Sequence, residues 1–496
     1  MQLFLKILLV YLSAAQARHL PSPFEEYDKA REELLLRELG QALGGQLRLS
    51  EEEETANKVL MRLKNEELEE DFREPARFWA GQHFFKAKRH IDGSEVFKLL
   101  RKLPKGASLH SHATALTSCN YVFWNITFRE NLYGKLNEGQ KIDLKFFKSP
   151  PNAQWRPLAE LRRSDSSFDL KLWKQLTIIR NDSIVSDTNT IWKLFQGTFH
   201  SISPLLSYKP VFKDYFYQAL RELYEDNVRY LEFRSSVPKL YDLEGVVYDQ
   251  EETVKIWYET ANQFMQDYTG FWGVKLILAP QRLTNSSVIE FYRDFLLRMG
   301  EKFPNFIAGF DLVGQEDAGK TLKTFIPELS KMGQSTKLFL HAGETLWSGT
   351  STDENLLDAV MLNSSRIGHA YAILKHPEVL KMARERNIAL EICPISNQVL
   401  GLVADLRNHP ANYLIANGYP VVITSDDPSF WGAKGLSYDW YVTFMAMASK
   451  HGDLKLLKQL AFNSIWFSSM EEELKREALK RWSEEWGQFL KEVIQK

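Results

Sequence analysis

The stretch KLFLHAGE, residues 337–344, contains the two signals from which the fold of this 496-residue chain can be predicted. Its first half is mostly apolar and of strand length. Its second half changes abruptly to polar and small residues, among them His341 and Glu344. A short apolar run bounded in this way indicates a strand with reactive side chains at its carboxyl end.

Seven other runs of the same kind occur along the chain. The eight runs cover residues 107–113, 228–236, 273–280, 307–314, 337–344, 366–370, 388–394 and 420–428. From the second run onwards they recur at intervals of roughly 30 residues, the length of one strand–loop–helix unit. Eight such units predict an α/β protein with a (β/α)₈ TIM-type barrel. An open doubly wound sheet is the alternative, but the chain lacks the phosphate-binding glycine motif that often follows the first strand of such sheets.

Two segments do not fit the repeating unit. Residues 18–98 are highly charged with a helical pattern, which predicts a helical N-terminal extension outside a barrel domain of residues 99–496. The apolar faces of this extension need a partner, either the barrel or a second subunit. The first interval between strands is much longer than the others, and it predicts an insertion at about residues 118–188 on the mouth side of the barrel. After the last strand the pattern is helical, and Trp482 and Trp486 are expected to pack a final helix against the body.

The N-terminus predicts export. Residues 1–17 contain Lys6 within a short apolar stretch and end in the small residues of a cleavage site, which is typical of a signal peptide rather than of a core helix. Four glycosylation sequons agree with a secreted, extracellular glycoprotein, and they begin at Asn125, Asn181, Asn285 and Asn363. No later stretch is long and apolar enough to span a membrane. The net charge of −2 gives no indication of a nucleic-acid or membrane-surface partner.

Histidines and carboxylates cluster at the ends of four of the eight runs. They are His110 and His112 in the first run, His341 and Glu344 in the fifth, His369 in the sixth, and Asp426 and Asp427 in the eighth. In a parallel barrel all strand ends open onto one face, where active sites are built. Residues two apart on a strand point to the same side, so the first pair of imidazoles can reach one metal.

Together, His110, His112, His341 and Asp426 make a ligand set suited to a catalytic zinc ion, with a position left for water. Taken singly, the histidines could equally be half-exposed or hydrogen-bonded in the core. A buried Asp426, however, is costly unless it is paired or metal-bound. The four residues together predict one Zn²⁺ per chain.

The remaining polar residues at these ends suit hydrolysis. Zinc in such a site lowers the pKa of water towards about 7 and so supplies hydroxide at neutral pH. Glu344 is close enough to His341 to donate a proton to the substrate, and His369 can either take the proton of the water or orient it. Asp427 can hydrogen-bond the substrate, or it can cap the turn before Pro428.

Several of these motifs, in their order and spacing, resemble those of the adenosine deaminase family. The motifs are HSH at residues 110–112, HAGE at 341–344, IGH at 367–369 and SDDP at 425–428. Three further stretches resemble the secreted branch, the adenosine deaminase-related growth factors, and they are GFDLVG at 309–314, CPISN at 393–397 and GAKGLSY at 432–438. The resemblance covers nearly the whole mature chain.

The resemblance implies a role for each site residue. His110, His112, His341 and Asp426 would hold zinc, Glu344 would protonate purine N1, and His369 would act as the base for the water. Asp427 would contact N7 and the backbone N–H of Gly314 would contact N3. Trp192 and Phe199 belong to a helix-like segment that resembles the cover over the bound nucleoside. Gln281 falls where the family has another substrate contact.

Three positions depart from the family pattern. Ala113 replaces an aspartate that contacts the ribose, Ala370 replaces the glycine that usually follows the base histidine, and the insertion contains only Cys119 where this branch commonly has a disulfide. Zinc chemistry should survive all three changes. Ribose recognition is the function that they put in question.

The sequence therefore predicts a secreted zinc-dependent enzyme that converts adenosine and 2′-deoxyadenosine to inosine products and ammonia. The resemblance also implies a homodimer, a cell-surface receptor and growth-factor activity. An extracellular growth-factor-like ligand with little catalysis is the alternative, and Ala113 is the feature that favours it. A two-metal amidohydrolase would usually carry a lysine at the end of the fourth strand, where this chain has DLVG at residues 311–314.

Overall fold

The computed structural model describes residues 24–137, 141–180 and 187–496. The predicted signal peptide, residues 1–17, and the sequon at Asn181 lie outside the described residues. In the described part of the chain, no helix combines the length and the apolar character needed to cross a bilayer.

Eight parallel strands form the centre of the protein. They are β1 (Gly106–Ser108), β2 (Val228–Ser235), β3 (Gly273–Leu278), β4 (Ile307–Phe310), β5 (Lys337–Leu338, continuing as His341–Ala342), β6 (Arg366–His369), β7 (Ala389–Ile392) and β8 (Val421–Ile423). Each lies within or beside one of the eight predicted runs. Most are shorter than predicted at the carboxyl end, because the chain leaves the ladder there and places polar side chains at the rim.

The strands pair in sequential order and close into a barrel. β1 to β5 form one parallel ladder and the second half of β5 to β8 form another. Gly368 N–H donates to Leu340 O at 2.9 Å and joins the two ladders, while Asp426 N–H donates to His110 O at 3.1 Å and closes the ring. A doubly wound sheet would reverse its strand order at a switch point. The sequential order excludes that alternative and confirms the (β/α)₈ barrel.

Helices connect successive strands and cover the outside of the barrel. They are Lys209–Glu225, Gln250–Asp267, Ser286–Lys302, Ile326–Gly333, Asn355–Met361, Pro377–Glu385, Ala411–Ala416 and, after β8, Ser437–Val442 and Leu454–Trp466. Several begin at a residue whose side chain accepts a backbone hydrogen bond, as Asp249 accepts from Glu252 N–H at 3.0 Å. Their apolar faces contribute to one continuous core with the strands.

The N-terminal region is helical, as its charge pattern predicted. Its helices are Phe24–Gln41, Glu51–Arg73, Phe84–Ile91 and Glu95–Lys102. Lys64 is buried and donates to the backbone oxygens of Ser449 at 3.1 Å and Gly452 at 2.7 Å. Trp486 Nε1 in the last helix, Glu472–Ile494, donates to Glu53 at 2.8 Å. The helix Glu51–Arg73 therefore packs against the body of the same chain, and both tryptophans of the last helix are buried as expected.

The insertion after β1 contains its own small sheet. Its antiparallel strands are Leu132–Leu136, Ile142–Phe146 and Trp155–Pro157, followed by the helices Leu158–Ser164, Phe168–Leu176 and Thr188–Leu206. The charged sequence hides the alternation, but Ile142, Leu144 and Phe146 all point inward. Cys119 and Cys393 are both buried and free.

A candidate metal centre at the mouth of the barrel

The predicted metal ligands meet at the carboxyl ends of three strands. Ligand atoms of His110, His112 and His341 all lie within 4.8 Å of one another. Asp426 Oδ1 approaches from the end of β8, 3.4 Å from His110 Nε2 and 3.1 Å from His112 Nε2. Side chains that are hundreds of residues apart in the chain thus surround one small volume.

The residues around this volume fit a zinc ion. Both His110 Nε2 and Asp426 Oδ1 are buried, and within the described residues neither has a well-aligned hydrogen-bond partner. Burial lowers the pKa of His341 to about 4, so that the ring is neutral at neutral pH, as a metal ligand must be. Three imidazoles and one carboxylate are a donor set typical of catalytic zinc.

Carboxylates behind two of the histidines orient their rings. Glu391 lies 2.7 Å from His110 Nδ1, and Asp311 lies 2.6 Å from His341 Nδ1. A carboxylate beside Nδ1 accepts a hydrogen bond from Nδ1–H. The proton therefore stays on Nδ1, and the Nε2 lone pair is free to bind a metal. The buried contacts therefore select the tautomer that a metal site requires.

These two carboxylates are themselves held by buried arginines. Arg234 donates to Asp311 and to Glu391, both at 2.7 Å. Arg366 donates to Glu391 and to Glu232, both at 2.6 Å. All five side chains are buried. Sequence reasoning missed this network, although charged residues inside the apolar runs of β2, β6 and β7 were its signal, since buried charges need partners.

Glu344 is held by its backbone at the edge of the centre. Its N–H and that of Gly343 both donate to the carboxylate of Glu316, at 3.0 and 3.1 Å. Gly343 has φ of 82°, and a Cβ there would lie 2.8 Å from Leu356. Burial, then the charges of Asp426 and Glu316, raise the pKa of Glu344 well above its usual range. The raised pKa favours the protonated form of the carboxyl group, which can donate a hydrogen bond.

His369 and Asp427 complete the polar rim. His369 Nε2 lies 3.8 Å from Asp426 Oδ2, and its Nδ1 lies 3.6 Å from Glu344 Oε1. Asp427 precedes the turn Pro428–Trp431, but its side chain makes no capping hydrogen bond there. Burial and the neighbouring Asp426 raise the pKa of Asp427 well above its usual range. This carboxyl is thus available to a ligand rather than used by the turn.

A cavity of about 520 Å³ opens directly onto this centre. The predicted substrate residues line it, and they are Trp192, Phe199, Gln281, Gly314 and Asp427. Trp192 and Phe199 come from the helix Thr188–Leu206, whose aromatic rings pack on each other through Phe195. Gly314 has φ of 103°, and a Cβ there would lie 2.4 Å from Gln281 Oε1. The structure therefore brings every predicted substrate residue to the same space, while His110 lies behind the cavity wall.

Two of the sequence departures also lie here. Ala113 lines the cavity, and its backbone N–H donates to Arg234 O at 2.9 Å. Ala370 is buried with φ of 48°, a left-handed conformation that favours glycine. His369 at φ of 59° and Asp426 at φ of 57° are left-handed as well. Such strain is concentrated where functional side chains are held in place.

Comparison with known proteins agrees with the site. Residues 170–484 match the family model described as Adenosine deaminase, and residues 5–100 match the model described as Adenosine/AMP deaminase N-terminal. The chain is 44% identical to an adenosine deaminase of Phlebotomus duboscqi, over 98% of both chains. It is 40% identical to adenosine deaminase 2 of Homo sapiens, over 95% of this chain and 94% of that one. A solved amidohydrolase from Burkhoderia ambifaria, with bound Zn, has a similar fold at a TM-score of 0.55 and 18% identity, over 81% of this chain and 95% of that one.

Proposed function

The chain belongs to the adenosine deaminase family, and on this premise we propose that it is a zinc-dependent enzyme that hydrolyses adenosine to inosine and ammonia. We propose 2′-deoxyadenosine as a second substrate. The observation that carries the proposal is the convergence of three imidazoles and Asp426 beside Glu344, at the floor of a cavity large enough for a nucleoside.

The metal and the acid divide the chemistry between them. His110, His112, His341 and Asp426 would hold the ion, which supplies hydroxide at neutral pH by lowering the pKa of water. Glu344 donates its proton to purine N1, so that C6 becomes more electrophilic. His369 Nε2 lies 3.8 Å from Asp426 Oδ2, where the ring would orient the attacking water or accept its proton. The buried network behind the ligands keeps their geometry unchanged through the reaction.

The cavity walls position the purine. Asp427, whose pKa is raised by burial and by Asp426, would donate to N7. The backbone N–H of Gly314 donates to N3, and Gln281 offers another polar contact beside it. Trp192 and Phe199 cover the nucleoside and exclude water, which strengthens the polar contacts beneath them.

The remaining proposals concern the whole molecule. We propose that the protein is secreted after removal of residues 1–17, that residues 18–98 form a dimerisation extension, and that residues 99–496 form the deaminase domain with an insertion at about 118–188. The match of residues 5–100 to the model described as Adenosine/AMP deaminase N-terminal supports a separate N-terminal unit. In the helix Phe24–Gln41, Phe24, Leu34 and Leu36 are exposed, which is consistent with a second copy as partner.

An absorbance assay of adenosine conversion by the purified chain tests the function. Activity that copurifies with stoichiometric zinc, is abolished by a chelator and returns on adding Zn²⁺ is the expected result. Asp426→Asn should bind less zinc and lose activity in parallel. Metal-free protein with full activity, or zinc-loaded protein that releases no ammonia from adenosine, would refute the proposal.

Growth-factor activity through a cell-surface receptor is a second proposal, supported by Ala113 in the cavity wall. Cell-growth assays with wild-type protein and Glu344→Gln separate the two functions. Growth stimulation that survives in the variant supports a ligand role independent of catalysis. Loss in the variant assigns the effect to removal of adenosine.

A further inference from the structure

The imidazole of His369 is held from behind by a buried chain of hydrogen bonds. Asn397 Nδ2 lies 3.1 Å from His369 Nδ1, and Asn397 Oδ1 lies 2.9 Å from His409 Nε2. His409 Nδ1 accepts a hydrogen bond of 3.0 Å from the backbone N–H of Ala411. Neither Asn397 nor His409 lines the cavity, and both are buried. This chain of hydrogen bonds thus reaches His369 from the side opposite the substrate.

The donor and acceptor of each hydrogen bond follow from the end of the series at Ala411. A backbone N–H can only donate, so His409 Nδ1 accepts and the neutral ring carries its proton on Nε2. Burial lowers the pKa of His409 to about 3, which keeps the ring neutral. Its Nε2–H must meet the amide oxygen of Asn397, and the amide nitrogen therefore faces His369. His369 Nδ1 accepts, so its proton is on Nε2.

No other described contact competes for His369 Nδ1. Glu344 Oε1 is 3.6 Å away, which is longer than a hydrogen bond. On the other edge of the ring, Nε2 lies 3.8 Å from Asp426 Oδ2 and faces the cavity side of the centre. These hydrogen bonds therefore place the proton on Nε2 of His369, and Nε2–H is directed towards the side of the centre from which the water would attack.

We propose that Asn397 and His409 are positioning residues that hold His369 so that its Nε2–H donates a hydrogen bond to the attacking water oxygen. This inference rests on the proposed deaminase function. It chooses between the two roles that the sequence left open for His369, orienting the water or accepting its proton. A ring nitrogen that already carries hydrogen has no lone pair to accept a second proton.

Asn397→Asp tests the direction of the chain with almost no change of shape. A carboxylate still accepts from His409 but can no longer donate to His369, so the ring should change to the Nδ1–H tautomer. We expect kcat for adenosine to fall about 10- to 100-fold, the usual cost of losing a supporting contact of this kind, with KM little changed. An unchanged kcat would overturn the proposal.

Gln398→Glu is the matched control, because it makes the same amide-to-carboxylate change at the next residue. Gln398 is buried and bonds Phe84 N–H at 2.8 Å and Ala404 O at 3.0 Å, away from His369. It should lower the melting temperature but leave kcat unchanged. A similar fall of kcat in both variants would reduce Asn397 to a merely structural role and overturn the proposal.

Two changes at His409 refine the test. His409→Gln keeps a donor for Asn397 and should retain more kcat than His409→Leu, which leaves the amide oxygen unpaired. Equal kcat values in the two variants would count against the hydrogen-bond chain.

Histidine ¹⁵N NMR of the zinc-loaded protein reads the tautomer without turnover, with His369→Gln to assign the signal. An Nε2–H signal that changes to Nδ1–H in Asn397→Asp supports the proposal, and an Nδ1–H signal in the wild type overturns it. The Nε2–H tautomer in a protein that does not deaminate adenosine would refute the proposed function and leave the hydrogen-bond chain intact.

Discussion

The two ends of the cavity are built in different ways. At the floor, the imidazoles and carboxylates of the centre are fastened by buried ion pairs of Arg234 and Arg366. At the mouth, Trp192 and Phe199 belong to a single helix, and Ala113 lines the cavity with only a methyl group. The floor is over-determined, since the rings of His110 and His341 each have a carboxylate behind them, whereas the mouth depends on packing alone. On the proposed function, the difference predicts that the deamination chemistry is retained while binding of the sugar is weakened.

The floor can be disabled most strongly at Glu344. Glu344→Gln removes the proton donor and should lower kcat about 10²- to 10⁴-fold without loss of zinc. Steady-state kinetics and metal analysis measure both effects. Glu354→Gln, an exposed residue on the same loop, should change neither. A Glu344→Gln enzyme with near wild-type kcat would contradict the assignment of the acid.

The pKa shift of Glu344 also predicts how the protein responds to pH. Its folded-state pKa is raised, so the folded protein retains a proton that the unfolded chain releases. Stability from this group therefore falls as pH rises above the ordinary glutamate pKa of about 4.3. Glu344→Gln should flatten that slope in urea unfolding measured from pH 5 upwards. For the same reason kcat should decline as pH rises through the raised pKa.

The next largest effect is expected from a substitution in the buried network of ion pairs behind the metal ligands. Glu391→Gln removes the charge shared by His110, Arg234 and Arg366, and should cost about 3–5 kcal/mol of unfolding free energy. Zinc affinity should fall about 10- to 100-fold. Urea denaturation and zinc titration provide the measurements. Glu66→Gln is the control, because the ion pair of Glu66 with Arg62 is exposed, and it should cost less than about 1 kcal/mol of unfolding free energy. If both variants lost the same unfolding free energy, the buried network would contribute no more to stability than an exposed ion pair.

At the mouth, a substitution that restores the residue of the family pattern should raise activity. Ala113→Asp replaces the ribose contact and should raise kcat/KM for adenosine about two- to tenfold, because one hydrogen bond contributes about 0.5–1.5 kcal/mol. Ala113→Asn has nearly the same shape without the charge and separates the two contributions. Unchanged or lower kcat/KM for the aspartate variant would argue against a weakened ribose site.

The smallest effect is expected at the strained backbone beside His369. Ala370→Gly relieves a left-handed alanine and should raise the unfolding free energy by roughly 0.5–1 kcal/mol, after the greater chain entropy of glycine is subtracted. Ala372→Gly, in the short helix Tyr371–Lys375, should have the opposite sign. Destabilisation by both variants would mean that Ala370 is not strained.

Local pattern was sufficient to predict the barrel and the centre of the site. All eight apolar runs became strands, and the histidines and aspartates at their ends came together because a parallel barrel brings all its carboxyl ends to one rim. The small sheet of the insertion could not be read in the same way. Its strands are only three to five residues long, so the alternation of Ile142, Leu144 and Phe146 with charged residues is too short to stand out in a highly charged segment.

Hydrophobic periodicity and the position of polar residues are local properties, so the amino-acid pattern was enough to locate the strands and the polar residues at their carboxyl ends. Only the tertiary structure decided that Glu391 and Asp311 lie behind His110 and His341, and that Glu316 holds the backbone of Glu344. It alone decided which edge of His369 faces Asn397. These contacts join residues from different strands and loops, and their directions depend on distances of a few ångströms that no spacing along the chain encodes.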